Sequence, residues 1–256
     1  MKKMFIDADV KQVNFLDERF YTNDEGKNYF PSVTTILDVY PKGFGFSQWL
    51  KDVGNNAAEI ADRAAEFGSR VHDITEHIHV SGKLEWLDES GKPKYDLDIW
   101  KAVLKYADFW KKCNPTLIEN EKALCSAKLK FGGTIDRVVM IAGKRFLIDL
   151  KTSNYLHQTH ELQLAAYAML WNETFPDQPI EQTAILWLKA NTRTDKIDHD
   201  KLIYQGMSKG GAWQLKTYEN HYAKTFEIFK SVQHIWQVEN PNYRPANENY
   251  PTEIII

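Results

Sequence analysis

Three residues in the stretch 131–152, FGGTIDRVVMIAGKRFLIDLKT, have the types and spacing for hydrolytic chemistry: Asp136, Asp149 and Lys151. Two runs rich in Val and Ile, 135–141 and 146–150, flank Ala142-Gly143, which predicts an antiparallel hairpin closed by a tight turn. With a two-residue loop Ile141 pairs with Lys144. Counting outward puts Asp136 opposite Asp149 and Thr134 opposite Lys151. Directly opposed residues share a face, with Cβ atoms about 4.5–5.5 Å apart, and Lys151, two residues beyond Asp149, shares it too. Strand interiors disfavour Asp, and two adjacent carboxylates repel unless a cation sits between them. A hard divalent ion such as Mg²⁺ takes carboxylate oxygens and keeps waters for substrate phosphates. An ammonium beside it can orient or deprotonate one of those waters, which is a setting for phosphodiester hydrolysis. The same charges would also suit a solvated sheet face with a surface ion pair, worth little energetically. Charged residues at alternate strand positions are usually of that kind, and the hairpin alone favours the solvated face.

The elements that must hold these residues can be read on either side of the hairpin. Residues 158–175 carry Leu162, Leu164, Ala165, Tyr167, Ala168, Leu170 and Trp171, a helix in which Gln163 and Tyr167 are four apart and share a face. The run 182–188, QTAILWL, is a buried strand, and 201–205 is a candidate for another. Upstream, 117–129 reads as strand and 95–110 as a helix ended by Asn114-Pro115. Residues 81–93 read as a loop, and 55–80 as a helix with Ala57, Ile60, Ala61, Ala64, Val71 and Ile74 near helical spacing. Short strands at 19–21 and 27–30 flank the turn-rich 23–26, and Ser32 caps a helix that follows it. Residues 41–46 read as a glycine-bearing break. Gly210-Gly211 are expected to precede one long helix from 213 to about 238, and the Pro-bearing tail from 241 to be irregular. The closing triple Ile is expected to pack on a neighbour. The layout is α/β, a central mixed sheet flanked by helices with a mainly helical N-terminal part. A part at 1–115 packs on a core at 116–256, as one continuous domain.

In order, G-T-I-D, I-D-L-K-T-S and Q-L-A-A-Y resemble the PD-(D/E)XK nuclease superfamily, closest to its RecB-like exonuclease branch, which includes phage exonucleases and the mitochondrial genome maintenance exonuclease. The resemblance covers roughly residues 29–188. It implies a restriction-endonuclease-like core and a Mg²⁺- or Mn²⁺-dependent DNA exonuclease acting on linear DNA with free ends. Asp136 corresponds to the first acid, Asp149 to the second and Lys151 to the lysine. Gln163 and Tyr167 match the trailing Q-x-x-x-Y and would hold the lysine or the scissile phosphate. Gly68-Ser69-Arg70-Val71-His72 resembles the branch's first motif, which places His72 near the metal. Relatives carry an acid on the strand before the first Asp; Glu121 is the candidate and Glu119 the alternative. The Leu150 carbonyl joins the metal ligands. P-S-V-T-x-I-L at 31–37 resembles the phage and mitochondrial group, although a well-capped core helix would look the same. A phage setting implies work in recombination, repair or replication, with a single-strand-annealing or recombination partner. A catalytically silent DNA-binding recombination or packaging factor, and an RNA-processing endonuclease with the same site, are the other readings.

Composition narrows the field from the other direction. At 256 residues, 43% hydrophobic and 26% charged, the chain has the make-up of a globular protein. The net charge of −3 supplies no global field for nucleic acid. Locally, between Lys122 and Lys151, seven basic residues face only Asp136 and Asp149. Cys113 and Cys125 are too few for a four-cysteine iron–sulfur cluster, and no Cys/His cluster suggests zinc. His77 and His79 match no motif and read as surface residues. The opening MKKMFIDADVKQ lacks the apolar core of a signal peptide, and no run approaches a membrane span, so a cytoplasmic setting is expected.

Overall fold

The computed structural model describes residues 10–15, 18–23, 28–218, 222–245 and 254. Most of the 23–26 turn, the start of the 27–30 strand, the opening residues and most of the Ile tail lie outside them.

Two layers of helix enclose a seven-stranded sheet. Its strands are Thr116–Ser126 (β4), Phe131–Ile141 (β5), Lys144–Lys151 (β6), Gln182–Trp187 (β7), Lys196–Asp198 (β8), Ile203–Ser208 (β9) and Gly211–Tyr218 (β10), in the order β4-β5-β6-β7-β10-β9-β8. A smaller sheet of Lys11–Phe15 (β1), Glu18–Thr22 (β2) and Phe30–Pro31 (β3) contacts the β4–β5 edge. Every pair in the large sheet is antiparallel except β6–β7, which is parallel. A parallel pair needs a crossover, and the helix Gln158–Thr174 (α5) provides it. The hairpin register is the one counted from the turn: Ile141 pairs with Lys144 and Arg137 with Ile148. Ala142 (φ +47°) and Gly143 (φ +79°) both lie in the left-handed region, as a type I′ turn requires.

Side chains alternate between two cores. On one face Val138, Leu147 and Ile185 meet α5, Val33–Leu37 (α1) and Tyr222–Glu239 (α6). On the other, Val139, Phe146, Ile148 and Leu150 meet Ala57–Ser81 (α3) and Leu97–Cys113 (α4). α5 is apolar all round because it lies between the sheet and α1 and α6, which is why no amphipathic stripe marks it. Ser32 caps α1 by accepting the Thr35 N–H at 2.9 Å.

Three sequence expectations need correction. The long helix expected from 213 is instead β10 followed by α6, with Trp213 and Leu215 inward at strand spacing. The glycine-bearing break at 41–46 opens a helix, Gly43–Val53 (α2), none of whose residues is buried. His79 is no free surface residue; its ring contacts Tyr106 and Trp110, and the Tyr106 hydroxyl donates to its Nε2 at 2.5 Å.

Candidate active site

The β5–β6 ladder stops at Arg137↔Ile148, one rung short of Asp136 and Asp149. Side chains replace the missing backbone partner. The Leu150 N–H donates to Asp136 Oδ2 at 2.7 Å, and His72 Nε2 of α3 donates to the Leu150 carbonyl at 3.0 Å. His72 Nδ1 lies 3.5 Å from Asp136 Oδ2. On the other side of β5, Asn120 pairs with Arg137 and Lys122 with Ile135, which leaves Glu121 facing Asp136. Glu121 has φ +49°, a strained backbone for a residue of its size. Three acids thus occupy one row across β4, β5 and β6. The expected Thr134–Lys151 rung is absent, because the strands have parted by then; Thr134 pairs with Ala123 and its hydroxyl bonds the Tyr21 hydroxyl at 3.0 Å. Glu119, the alternative to Glu121, pairs with Val138, on a different rung.

Lys151 stands at the end of β6. Its Nζ is 2.8 Å from Asp149 Oδ2 and donates to Gln163 Oε1 at 3.1 Å, while Gln163 Nε2 donates to the Tyr167 hydroxyl at 3.1 Å. The Tyr167 ring packs against Gly133, where a Cβ would come within 2.3 Å of it. A glycine is needed there for the tyrosine, and through it Gln163, to reach the lysine. The structure therefore brings His72, Glu121, Asp136, Asp149, Leu150, Lys151 and Gln163 together, with Tyr167 one contact behind. Arg137, which the sequence reading passed over, is buried beneath them. It donates to Glu121 Oε1 at 2.7 Å, to the Tyr106 hydroxyl at 3.1 Å and to Thr75 Oγ1 at 3.3 Å. The signal was available: an arginine beside Asp136 in an otherwise apolar strand run.

The row carries excess negative charge. Burial and then the Asp136 charge push Glu121 up to about 7, against the pull of Arg137. Burial pushes Asp149 up to about 6 although Lys151 favours its ionised form. Burial pulls the Lys151 ammonium down, but Asp149 and Asp136 outweigh it and hold its pKa above the usual lysine range. A cation fits this setting. Ligand atoms of His72, Glu121 and Asp136 lie within 4.8 Å of one another. Asp149 is buried, and its Oδ2 has the Lys151 ammonium beside it at 2.8 Å. One imidazole and two carboxylate donors converging at this distance suit a hard divalent ion.

A cleft of about 500 Å³ opens onto Lys151 and Gln163 and is lined by Tyr40, Lys42, Phe46 and the start of α5. His157 and His160 cap that helix reciprocally. Burial, then the charges of Lys151 and His157, lower His160 to about 3, so a neutral imidazole faces the cleft. The H-x-x-H at the head of a helix was the sequence signal for this pair.

Residues 48–249 match the profile of the PD-(D/E)XK nuclease superfamily, a span that includes the whole acid row, the lysine and α5. The chain belongs to that superfamily. The PD-(D/E)XK core is the β4–β7 sheet with α5, and the mixed sheet flanked by helices is the superfamily's fold. No curated protein matches the sequence. Among solved structures, a candidate exonuclease from Eubacterium rectale is similar at 12% identity over 88% of this chain and 90% of that one, with a TM-score of 0.45. A protein called SSO0001 is similar at 16% identity over 58% of this chain and 60% of that one, with a TM-score of 0.27. Among the described residues no helix is long and apolar enough to cross a membrane.

Proposed function

We propose that this PD-(D/E)XK protein is a Mg²⁺- or Mn²⁺-dependent deoxyribonuclease, an exonuclease of the RecB-like type that degrades linear DNA from its ends. The observation that carries this is the row of Glu121, Asp136 and buried Asp149 across three strands, with the Lys151 ammonium 2.8 Å from Asp149. A silent DNA-binding fold has no physical reason to keep Glu121 and Asp149 where burial, and then the Asp136 charge, disfavour their ionised forms.

In this reading Asp136, Asp149, Glu121, His72 and the Leu150 carbonyl hold the cation. When bound, it supplies positive charge for the scissile phosphate and acidifies a coordinated water. Lys151 orients the attacking water and meets the negative charge that develops on the phosphate. Gln163 fixes the lysine ammonium by accepting a hydrogen bond from it, and the Tyr167 hydroxyl fixes the Gln163 amide by accepting one in turn. Arg137 positions Glu121 rather than touching substrate. The biological setting proposed is cytoplasmic DNA recombination, repair or replication of the kind phage exonucleases serve, with a single-strand-annealing or recombination partner.

The test is incubation of the pure protein with end-labelled linear DNA, closed circular DNA and RNA, single- and double-stranded, with and without Mg²⁺. Linear DNA should be degraded only with the metal, and a covalently closed single-stranded circle should survive. Efficient cutting of the circle would make the protein an endonuclease, and preference for RNA would make it an RNA-processing enzyme. Binding of DNA without cleavage under any metal would leave the silent factor.

A further inference from the structure

A second cleft, of about 390 Å³, lies against the end of β6 on the opposite face of the sheet from α5. Phe67 of α3, Asp98, Lys101, Ala102 and Lys105 of α4, and Thr152, Leu188 and Lys189 line it. Three lysines thus share one concavity with a single acid, Asp98, which Lys101 engages at 3.2 Å. Among the described residues neither Lys105 nor Lys189 has an ion pair. Lys105 donates to the Leu188 carbonyl at 2.7 Å, and Lys189 donates to Asn154 Oδ1 at 2.9 Å while its Nζ sits 5.8 Å from the Phe67 ring centroid. Burial, then repulsion from Lys189 and Lys101, lower the Lys105 pKa. Three like charges held together with too little anion nearby describe a site that gains from one.

The cleft is tied to the chemistry by short links. The Leu188 N–H donates to the Lys151 carbonyl at 2.9 Å, so Leu188 bridges the backbone of Lys151 and the ammonium of Lys105. Thr152, next to Lys151 in the chain, faces Gly68 closely, a Cβ there standing 3.4 Å from Thr152 Oγ1. Lys151 points toward α5 on one face of the sheet, and Lys105 comes from α4 on the other. A strand whose scissile phosphate lies at Lys151 would cross the carboxyl end of β6 to reach the second cleft.

We infer that the Lys101–Lys105–Lys189 cleft binds a phosphate group of the nucleic-acid substrate other than the one being cleaved, and so anchors the strand across the end of β6. The inference rests on the nuclease reading for its ligand. Its test is binding, which does not need cleavage. Affinity for labelled oligothymidylate would be measured in EDTA over a salt series for wild type, Lys105→Gln, Lys189→Gln and, as a control across the sheet, Lys230→Gln. Glutamine at 105 can still donate to the Leu188 carbonyl, and Lys189→Gln guards against a folding defect at the half-buried position.

Each cleft variant should bind more weakly whatever the base sequence, and its log K against log salt should flatten by about one unit, the signature of one lost phosphate contact. The control should keep the wild-type slope. Oligonucleotides with 5′-phosphate, 3′-phosphate or neither separate the sources. A terminal occupant makes wild type, and not the variants, favour one phosphorylated end; an internal diester makes the variants lose slope on all three. Wild-type affinity and slope in both cleft variants on every substrate would overturn the inference. Because the assay contains no metal, a protein that proves unable to cleave would defeat the nuclease reading while the cleft is still decided by these slopes.

Discussion

Asp136 sits between two other carboxylates and still accepts the Leu150 N–H, so its charge and its hydrogen bond can be separated. Asp136→Asn keeps an oxygen for that N–H and removes one of three neighbouring charges. In EDTA near pH 7 the variant should melt higher than wild type. Mg²⁺ should stabilise wild type by RT ln(1 + [L]/Kd), about 1.4 kcal/mol at ten times Kd, and the variant much less. Thermal melts over a Mg²⁺ series at fixed ionic strength check both; a wild type indifferent to Mg²⁺ and Mn²⁺ beside a variant no more stable in EDTA would remove the carboxylate row from the explanation. Asp149→Ala and Lys151→Ala should each lower cleavage of linear DNA by about 10²–10³-fold or more, in line with loss of one preorganised charge-stabilising group. Oligonucleotide binding should persist, since phosphate contacts elsewhere supply most of it. A near-wild-type rate in either variant would show that the chemistry lies elsewhere.

Among the elements, α5 reaches the site only because β5 has no side chain at Gly133. Gly133→Ala should push Tyr167 off the strand, at about 1–3 kcal/mol of stability, and lower cleavage because Gln163 loses its hydroxyl anchor. Tyr167→Phe, which removes the anchor without the clash, should reproduce the loss of activity and not the full loss of stability. α3 and α4 meet through His79, which burial and then Arg137 hold down at about 4. Tyr106 donates to His79 and accepts from Arg137, so a protonated ring would lose its acceptor and face a guanidinium. The unfolded chain takes up a proton near 6.5 and the folded one only near 4. Stability tied to His79 is therefore complete above pH 6.5 and lost as pH falls from 6.5 toward 4. His160, also lowered, adds to that slope, whereas Glu121 and Asp149, both raised, oppose it. The check is a difference: melts of His79→Gln across this range should show a shallower fall on acidification than wild type. Periodicity made α4 legible because it buries a regular pattern against the sheet, the Ala142-Gly143 turn made the hairpin register legible, and a long apolar run made α5 legible without a stripe. Periodicity failed at β10, where a stretch rich in apolar residues fits either period until Gly210 and Gly211 are placed against α4. It failed at α2 because a helix that buries nothing leaves no inward pattern. Glu121 could be named only by its order before Asp136, since its parity is set by a bulge between Leu117 and Glu119.

At the scale of the whole molecule, a chain of net charge −3 presents two clefts at one end of a mixed sheet, reached from opposite faces. The proposed organisation is one continuous domain, since α3 and α4 cover Ile148 and Leu150 of the strand that carries Asp149 and Lys151. The hairpin turn bears on how such a molecule comes together in time. Its first position is Ala142 at φ +47°, where a residue with a Cβ pays about 1–2 kcal/mol and Asn or Gly pays less. The β5–β6 hairpin is, with β9–β10, the most local pairing in the large sheet, yet its turn resists closing first. The rate-limiting nucleus is then expected to lie outside this hairpin, with the hairpin following. Ala142 is exposed, so Ala142→Asn should stabilise the protein by about 0.5–1 kcal/mol without touching the cleavage rate. Stopped-flow refolding separates the alternatives: with the turn formed late, the substitution slows unfolding and leaves the folding limb of the chevron in place, whereas a faster folding limb would put the hairpin in the nucleus.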